Sequence, residues 1–195
     1  MLVFNSQLID TPVMSLQTGG ELARTKDPII DPRTLTIVAY EVDGPLLDIR
    51  PSILRIADIR EVSEIGMIID SSDEFVGIDD VIKIKAIHKL HFSLIGLSVI
   101  DDKNHKLGKV DGYTLEMSGF VIQQLNVRRP LLKSLGDAEL LIHRSQIVEI
   151  NDTTVIVKSG AKEVRDPIPL QARAYTNPFR GTSKTQPEAI KTQDE

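Results

Sequence analysis

The sequence contains no cysteine and no tryptophan, and aromatic residues make up only 4% of its 195 residues. Without cysteine the chain can form no disulfide, thiolate zinc site or iron–sulfur cluster, and it has no cysteine nucleophile. With so few aromatic residues, a core must be built from Ile, Val and Leu, which suit the pleated, half-buried surfaces of β-sheets. The composition therefore favours a β-rich fold in a reducing compartment such as the cytoplasm.

Long apolar runs are also missing. The longest run, residues 92–100, is about half of the ~20 residues that a membrane-spanning helix needs. The first seven residues lack the basic region of a signal peptide, and polar side chains interrupt their apolar stretch. These absences predict a soluble, cytoplasmic protein without a transmembrane segment.

Negative charge is concentrated in the first half of the chain. Residues 1–90 contain 15 Asp and Glu against 9 Lys and Arg, whereas residues 91–160 contain 8 of each kind. An acidic surface repels phosphates, which argues against nonspecific nucleic-acid binding through the first half. A local basic site in the second half remains compatible with this distribution.

Two stretches of the chain share their apolar spacing and their turns. Residues 8–13 (LIDTPV) precede a turn at Gly19-Gly20, and residues 94–99 (LIGLSV) precede a polar turn at residues 101–105. The offset between the copies is 86 residues before the turn, 85 after it, and 88 further along the chain. A constant order of apolar positions at nearly constant offset predicts a duplicated structural module.

Each copy has short apolar segments separated by turn residues, which is typical of an all-β sandwich or barrel. The pair Asp31-Pro32 indicates a β-turn, and Gly19-Gly20 indicates a hairpin turn that needs positive φ. We expect an all-β protein with two small β-barrels in tandem, because closure removes exposed sheet edges. The clearest predicted strands are residues 36–42 and 120–127, and residues 67–69 and 155–157 are predicted to close the first and the second copy.

The same patterns divide the chain into a first module (1–70), a connector (71–91), a second module (92–166) and a largely disordered tail (167–195). In the connector, apolar residues at 81, 84, 87 and 90 favour one face of a helix. Apolar residues also alternate at 82, 84 and 86, as in a strand. Periodicity leaves both interpretations open.

Four segments of the second copy follow one another in a recognisable order: residues 94–101 (LIGLSVID), Leu107-Gly-Lys-Val110, residues 140–150 (LLIHRSQIVEI) and residues 154–157 (TVIV). In this order they resemble the PRC-barrel domain of the photosynthetic reaction centre H subunit and of the 16S rRNA-processing protein. The first copy resembles it less closely, with Ala23-Arg24 in place of Gly-Lys. The resemblance covers roughly residues 6–70 and 92–160, and its tandem form is similar to two-module bacterial members. It implies protein–protein or ribosome-linked binding rather than catalysis.

Candidate catalytic and metal-binding residues are few. His88 and His91 are three residues apart and would share a helical face, but Asp79 and Asp80 lie about two turns away and no nearby residue completes a metal site. We therefore interpret these histidines as surface residues. Adjacent acids such as Asp79 and Asp80 are expected to be solvated and ionised rather than poised for acid–base catalysis. The sequence thus predicts no catalytic, cofactor or metal site.

The most suggestive polar cluster is formed by Arg128, Arg129 and Lys133, where the chain leaves the long strand of the second copy. These charges could contact phosphate or an acidic protein surface, or they could belong to a solvated loop that keeps a sheet edge from pairing. We expect a non-enzymatic adaptor that binds an unidentified protein partner. The alternative is a ribosome-assembly or RNA-processing accessory factor that contacts a ribosomal particle or rRNA through the three basic residues. Peripheral association with a membrane complex ranks last, since no anchoring helix supports it.

Overall fold

Short strands joined by tight turns account for most of the structure. The computed structural model describes residues 1–45, 47–129 and 139–160, and these residues contain fourteen strands and one α-helix. The prediction of a mostly β fold is confirmed, and the four predicted strands named above are all present. The hydrogen-bonded strands form one mixed sheet whose order does not close into a ring, so closed barrels stay a prediction.

The first half of the chain contains eight strands: β1 (Leu2–Phe4), β2 (Pro12–Ser15), β3 (Glu21–Asp31), β4 (Thr36–Asp43), β5 (Ser52–Arg55), β6 (Glu61–Ser63), β7 (Gly66–Ile69) and β8 (Phe75–Gly77). Helix α1 (Ile82–His88) follows. The second half contains β9 (Ser98–Asp101), β10 (Lys106–Glu116), β11 (Val121–Arg128), β12 (Glu139–His143), β13 (Ile147–Ile150) and β14 (Thr154–Val157).

The two halves have the same order of strand pairing. Antiparallel pairs join β2 to β3, β3 to β4, β4 to β5 and β6 to β7, and β2 also runs parallel to β7. In the second half β9 to β14 repeat these five pairings in the same order. Val13 lies opposite Met67 and Val99 lies opposite Val155, so paired residues are related by the 86- and 88-residue offsets of the sequence.

Strands β4 and β11 join the halves at equivalent positions. The Ile37 N–H donates to the carbonyl oxygen of Phe120 at 3.0 Å, and the Ile122 N–H donates to that of Leu35 at 2.8 Å. Leu35 and Phe120 are both buried and both have left-handed backbone angles, with φ of 52° and 50°. This conformation costs a non-glycine residue about 1–2 kcal/mol, which the burial of the two side chains offsets.

A single apolar cluster extends through both halves and includes residues from β2 to β14. Within it the rings of Tyr40 and Phe120 meet edge to face, with centroids 6.5 Å apart. Burial, together with the neighbouring Tyr113, raises the pKa of Tyr40 far above its usual value, and burial also raises the pKa of Tyr113. Both phenols therefore stay neutral and act as core residues.

The connector forms a second, smaller core on the outer face of the first half. Strand β8 pairs with β5, and α1 packs Ile84 and Ile87 against Ile29, Ala39 and Ile53. Residues 82–88 therefore form a helix, as the spacing of residues 81, 84 and 87 indicated, and not a strand.

The chain turns at both predicted positions, although the hydrogen bond that closes the turn after Asp31 spans five residues rather than the four of a β-turn. Gly19 has φ of 70° in the β2–β3 turn, as the hairpin requires. After Asp31 the chain turns, and the Leu35 N–H donates to the Asp31 carbonyl oxygen at 2.9 Å. The Arg33 guanidinium and N–H donate to the Asp31 carboxylate and lower its pKa despite partial burial. This turn therefore holds the β3–β4 hairpin at the junction between the halves.

The amino-terminal strand pairs with the second half, although its residues fall in the range predicted for the first module. In β1, Val3 lies opposite Leu115 of β10.

No helix within the described ranges is long and apolar enough to cross a membrane. The tail predicted at residues 167–195 lies outside the described residues.

Candidate functional site

A cleft with a volume of about 460 Å³ lies where the two halves and the connector meet, and we call it the junction cleft. It is lined by Asn5, Ile9, Asp27, Pro28, Ile29, Ile30, Glu41, Ile87, His88, His91, Phe92, Ser93, Leu94, Ile95 and Tyr113. Because residues of both halves and of the connector line it, the cleft exists only when the two halves are assembled.

Local sequence features shape two of its walls. Pro28 cannot donate a ladder hydrogen bond, and the β3–β4 register shifts between Thr25 and Pro28, which places Asp27 and Pro28 at the cleft. At the end of α1 the chain turns through His91, whose φ is 47°, and residues 92–95 then run along the cleft. A proline-induced bulge and a helix end therefore define the opening.

The polar residues that line the cleft include two acids and two histidines, besides Asn5, Ser93 and Tyr113. His88 Nε2 lies 2.8 Å from Glu41 Oε1, and both side chains are about one-third exposed. The His91 ring meets the His88 ring edge to face at 5.7 Å. Asp27 adds a second carboxylate, and no Lys or Arg is among the lining residues that the structure describes. The cleft therefore attracts cationic groups.

Most of the remaining lining residues are apolar. Ile9 and Ile95 are 41% and 45% exposed, although both are large aliphatic residues. Asn5 accepts a hydrogen bond from the Tyr113 N–H at 3.0 Å and fixes the amino-terminal segment against β10 beside them. Apolar walls with a few convergent polar groups are typical of binding sites. The arrangement can hold an apolar residue next to a cationic one.

The basic residues predicted to contact a partner lie elsewhere, where β11 ends. Arg128 donates two hydrogen bonds to the Asp111 carboxylate, at 2.6 and 2.8 Å. Its charge is therefore partly neutralised within the chain. Arg129 follows it and is half-buried, and Lys133 lies outside the described residues. The three residues stay a predicted contact site.

The acids considered for catalysis have structural contacts. Asp79 forms an ion pair with Lys85 at 2.8 Å, which lowers the pKa of Asp79. Asp80 accepts a hydrogen bond from the Gly77 N–H. A depressed pKa keeps Asp79 ionised, the opposite of what a general acid requires. Among the residues that the structure describes, no cluster of three His, Asp or Glu side chains could hold a metal ion.

Sequence reasoning singled out His88 and His91 but not the two carboxylates beside them. Glu41 and Asp27 precede His88 by 47 and 61 residues, and only the packing of α1 on β3 and β4 brings these elements together at the cleft. The sequence contained one signal for Asp27, because the proline that follows it, Pro28, lies inside a strand pattern and such a proline marks a bulge or an edge.

No family model matches the chain, and no curated protein matches its sequence. The resemblance to the PRC-barrel domain therefore rests on the order of apolar segments and turns described above.

Proposed function

We propose that this protein is a non-catalytic adaptor, built from two PRC-barrel-like modules, that binds a protein partner in the junction cleft. The observation that carries the proposal is the composition of the cleft, in which apolar walls surround two carboxylates. The repeated strand pairing supports the tandem modules, and the absence of cysteine is compatible with the cytoplasm.

The contacts of His88 favour binding over catalysis. A histidine that activates a nucleophile needs that nucleophile within hydrogen-bond reach. In the described part of the chain, the His88 imidazole makes one hydrogen bond, to the Glu41 carboxylate, which only accepts. This pair links α1 to β4 rather than preparing an attack.

The charge of the cleft indicates the chemistry of the partner. Asp27 and Glu41 complement a lysine or arginine, while the exposed Ile9 and Ile95 complement apolar side chains. A partner segment that carries both a basic residue and apolar ones fits this combination. The ribosomal alternative depends on Arg128, Arg129 and Lys133, and Arg128 already binds Asp111 within the chain.

Charge reversal in the cleft tests the proposal. Glu41→Lys removes the contact with His88 and places a positive charge where a cationic partner residue would bind. We expect partner recovery, measured by cross-linking in lysate and quantitative mass spectrometry, to fall at least about tenfold, as for loss of one desolvated charge contact.

The matched control is Glu61→Lys, which makes the same charge change on the exposed edge strand β6 and should leave recovery unchanged. Circular dichroism of both variants checks that the fold is retained. Equal recovery with wild-type and Glu41→Lys protein would refute the cleft as the binding site.

A further inference from the structure

Strand β12 has only one neighbouring strand in the described part of the chain. It pairs with β11, whereas β5, which occupies the equivalent place in the first half, pairs with β4 on one edge and with β8 on the other. Strand β8 runs antiparallel to β5 and places Val76 opposite Ile53 and Phe75 opposite Leu54. In the first half, a second antiparallel strand, β8, thus covers the edge of β5 that corresponds to the open edge of β12.

The sequence of β12 lacks the features that usually protect an edge strand. Residues Glu139–His143 contain no proline and no lysine, and all five pair with β11 without a register shift. Of the five strands with a single partner among the described residues, β12 is the longest. Its central residue, Leu141, is only partly covered, while Leu140 and Ile142 point into the core. Such an edge is suited to pairing with another strand.

We propose that β12 pairs with β12 of a second copy of this chain, antiparallel and about a two-fold axis at Leu141. A two-fold interface is self-complementary, so each residue must suit the one opposite it. In this register Leu141 faces Leu141, Leu140 faces Ile142, and Glu139 faces His143. The β12 sequence therefore supplies its own complement in both apolar residues and hydrogen-bonding groups. The interface is separate from the junction cleft and does not depend on it.

Two observations support a second copy as the occupant. The residues that would lie opposite Leu141 and Ile142 are leucines, which match the aliphatic and aromatic side chains that β8 places against β5. In addition, the Ser145 N–H donates to His143 Nδ1 at 3.2 Å. The proton of the neutral ring is then on Nε2, which can donate to the Glu139 carboxylate of the second copy.

A single engineered cysteine tests this pairing, because the natural chain has none. Directly opposed residues of an antiparallel pair have Cα atoms about 4.5–5.5 Å apart, within the range that a disulfide spans. We expect full-length Leu141→Cys protein to form, under mild oxidation, a disulfide-linked species of twice the 21.7 kDa chain mass on a non-reducing gel. The control is Val148→Cys, on the edge strand β13 and 57% exposed. It should cross-link at least about tenfold more slowly, because its thiol meets another only by collision.

The register gives a second readout. Glu139→Cys protein should cross-link poorly with itself but readily with His143→Cys protein when the two are mixed. Formation of the mixed disulfide at least about tenfold faster than the Glu139→Cys homodimer would support the pairing, since only opposed residues are held together. Equal rates for Leu141→Cys and Val148→Cys would overturn the proposal. So would a Glu139→Cys homodimer that forms as fast as the mixed species.

Discussion

Replacing Phe120 by alanine is expected to lower the free energy of unfolding by about 3–5 kcal/mol, the usual cost of removing a buried aromatic ring. Phe120 is 5% exposed, and its ring packs against Tyr40 of the first half although it belongs to the second. Because one apolar cluster runs through both halves, the cavity should destabilise both together. Urea denaturation followed by far-ultraviolet circular dichroism should show a single transition at lower denaturant concentration.

Leu16→Ala provides the control, because Leu16 is 67% exposed and its truncation should change stability by less than about 0.5 kcal/mol. Tyrosine absorbance gives an independent probe, since Tyr40 and Tyr113 lie in the two different halves and are both buried. Unfolding of Phe120→Ala in two transitions, of which only one is shifted from wild type, would contradict this prediction. The halves would then be independent domains that the shared core does not couple.

The strands of both halves could be predicted because their signals are local. The segment at residues 36–42 and its counterpart at 120–127 are rich in branched residues and follow turn residues at equivalent positions. The 85-residue offset between them recurs between the structural strands β4 and β11 and between β3 and β10. A pattern that each copy carries by itself can be recognised without knowing what the copies contact.

The packing of the connector was not predicted, although the sequence contains a signal for it. On β4, Val38 and Ala39 are apolar, whereas the equivalent positions on β11 are Gln123 and Gln124. Only the first half therefore has an apolar outer face, and α1 covers it. Periodicity within the connector could not choose between helix and strand, because the deciding contacts are made with strands distant in sequence.

The junction cleft and the pairing of β1 with β10 depend on contacts of still longer range. The Asn5–Tyr113 hydrogen bond joins residues 108 positions apart. Such a contact follows from how the halves assemble, and composition, spacing and turn residues describe each half by itself. The histidines of the site were visible in the sequence, but their acidic neighbours were not.

Gly66→Ala should have an effect of similar size to Phe120→Ala, about 3 kcal/mol or more, for a reason that lies in the backbone. Gly66 begins β7 with φ of 132°, and a Cβ atom added there would come within 2.2 Å of the Pro12 carbonyl oxygen. An alanine must therefore change the backbone angle and separate β7 from the start of β2. Since Val13 pairs with Met67 beside this contact, the parallel β2–β7 pairing should weaken. Denaturant titration measures the loss, and hydrogen exchange at the Met67 and Ile68 amides should accelerate.

Gly96→Ala separates the cost of the positive backbone angle from the cost of the steric contact with Pro12. Gly96 also has positive φ, at 88°, but apart from its chain neighbours no atom lies within 4 Å of the place that an alanine methyl group would take. The substitution therefore carries the cost of the backbone angle alone, about 1–2 kcal/mol. A loss at Gly66 well beyond that at Gly96 measures the steric contact with Pro12. Equal losses would mean that β2 moves aside at little cost and that the parallel pairing does not fix the end of the first half. One methyl group is expected to lower the free energy of unfolding this much because β2 and β7 approach each other closely. Backbone atoms, unlike flexible side chains, have no alternative position that keeps their hydrogen bonds.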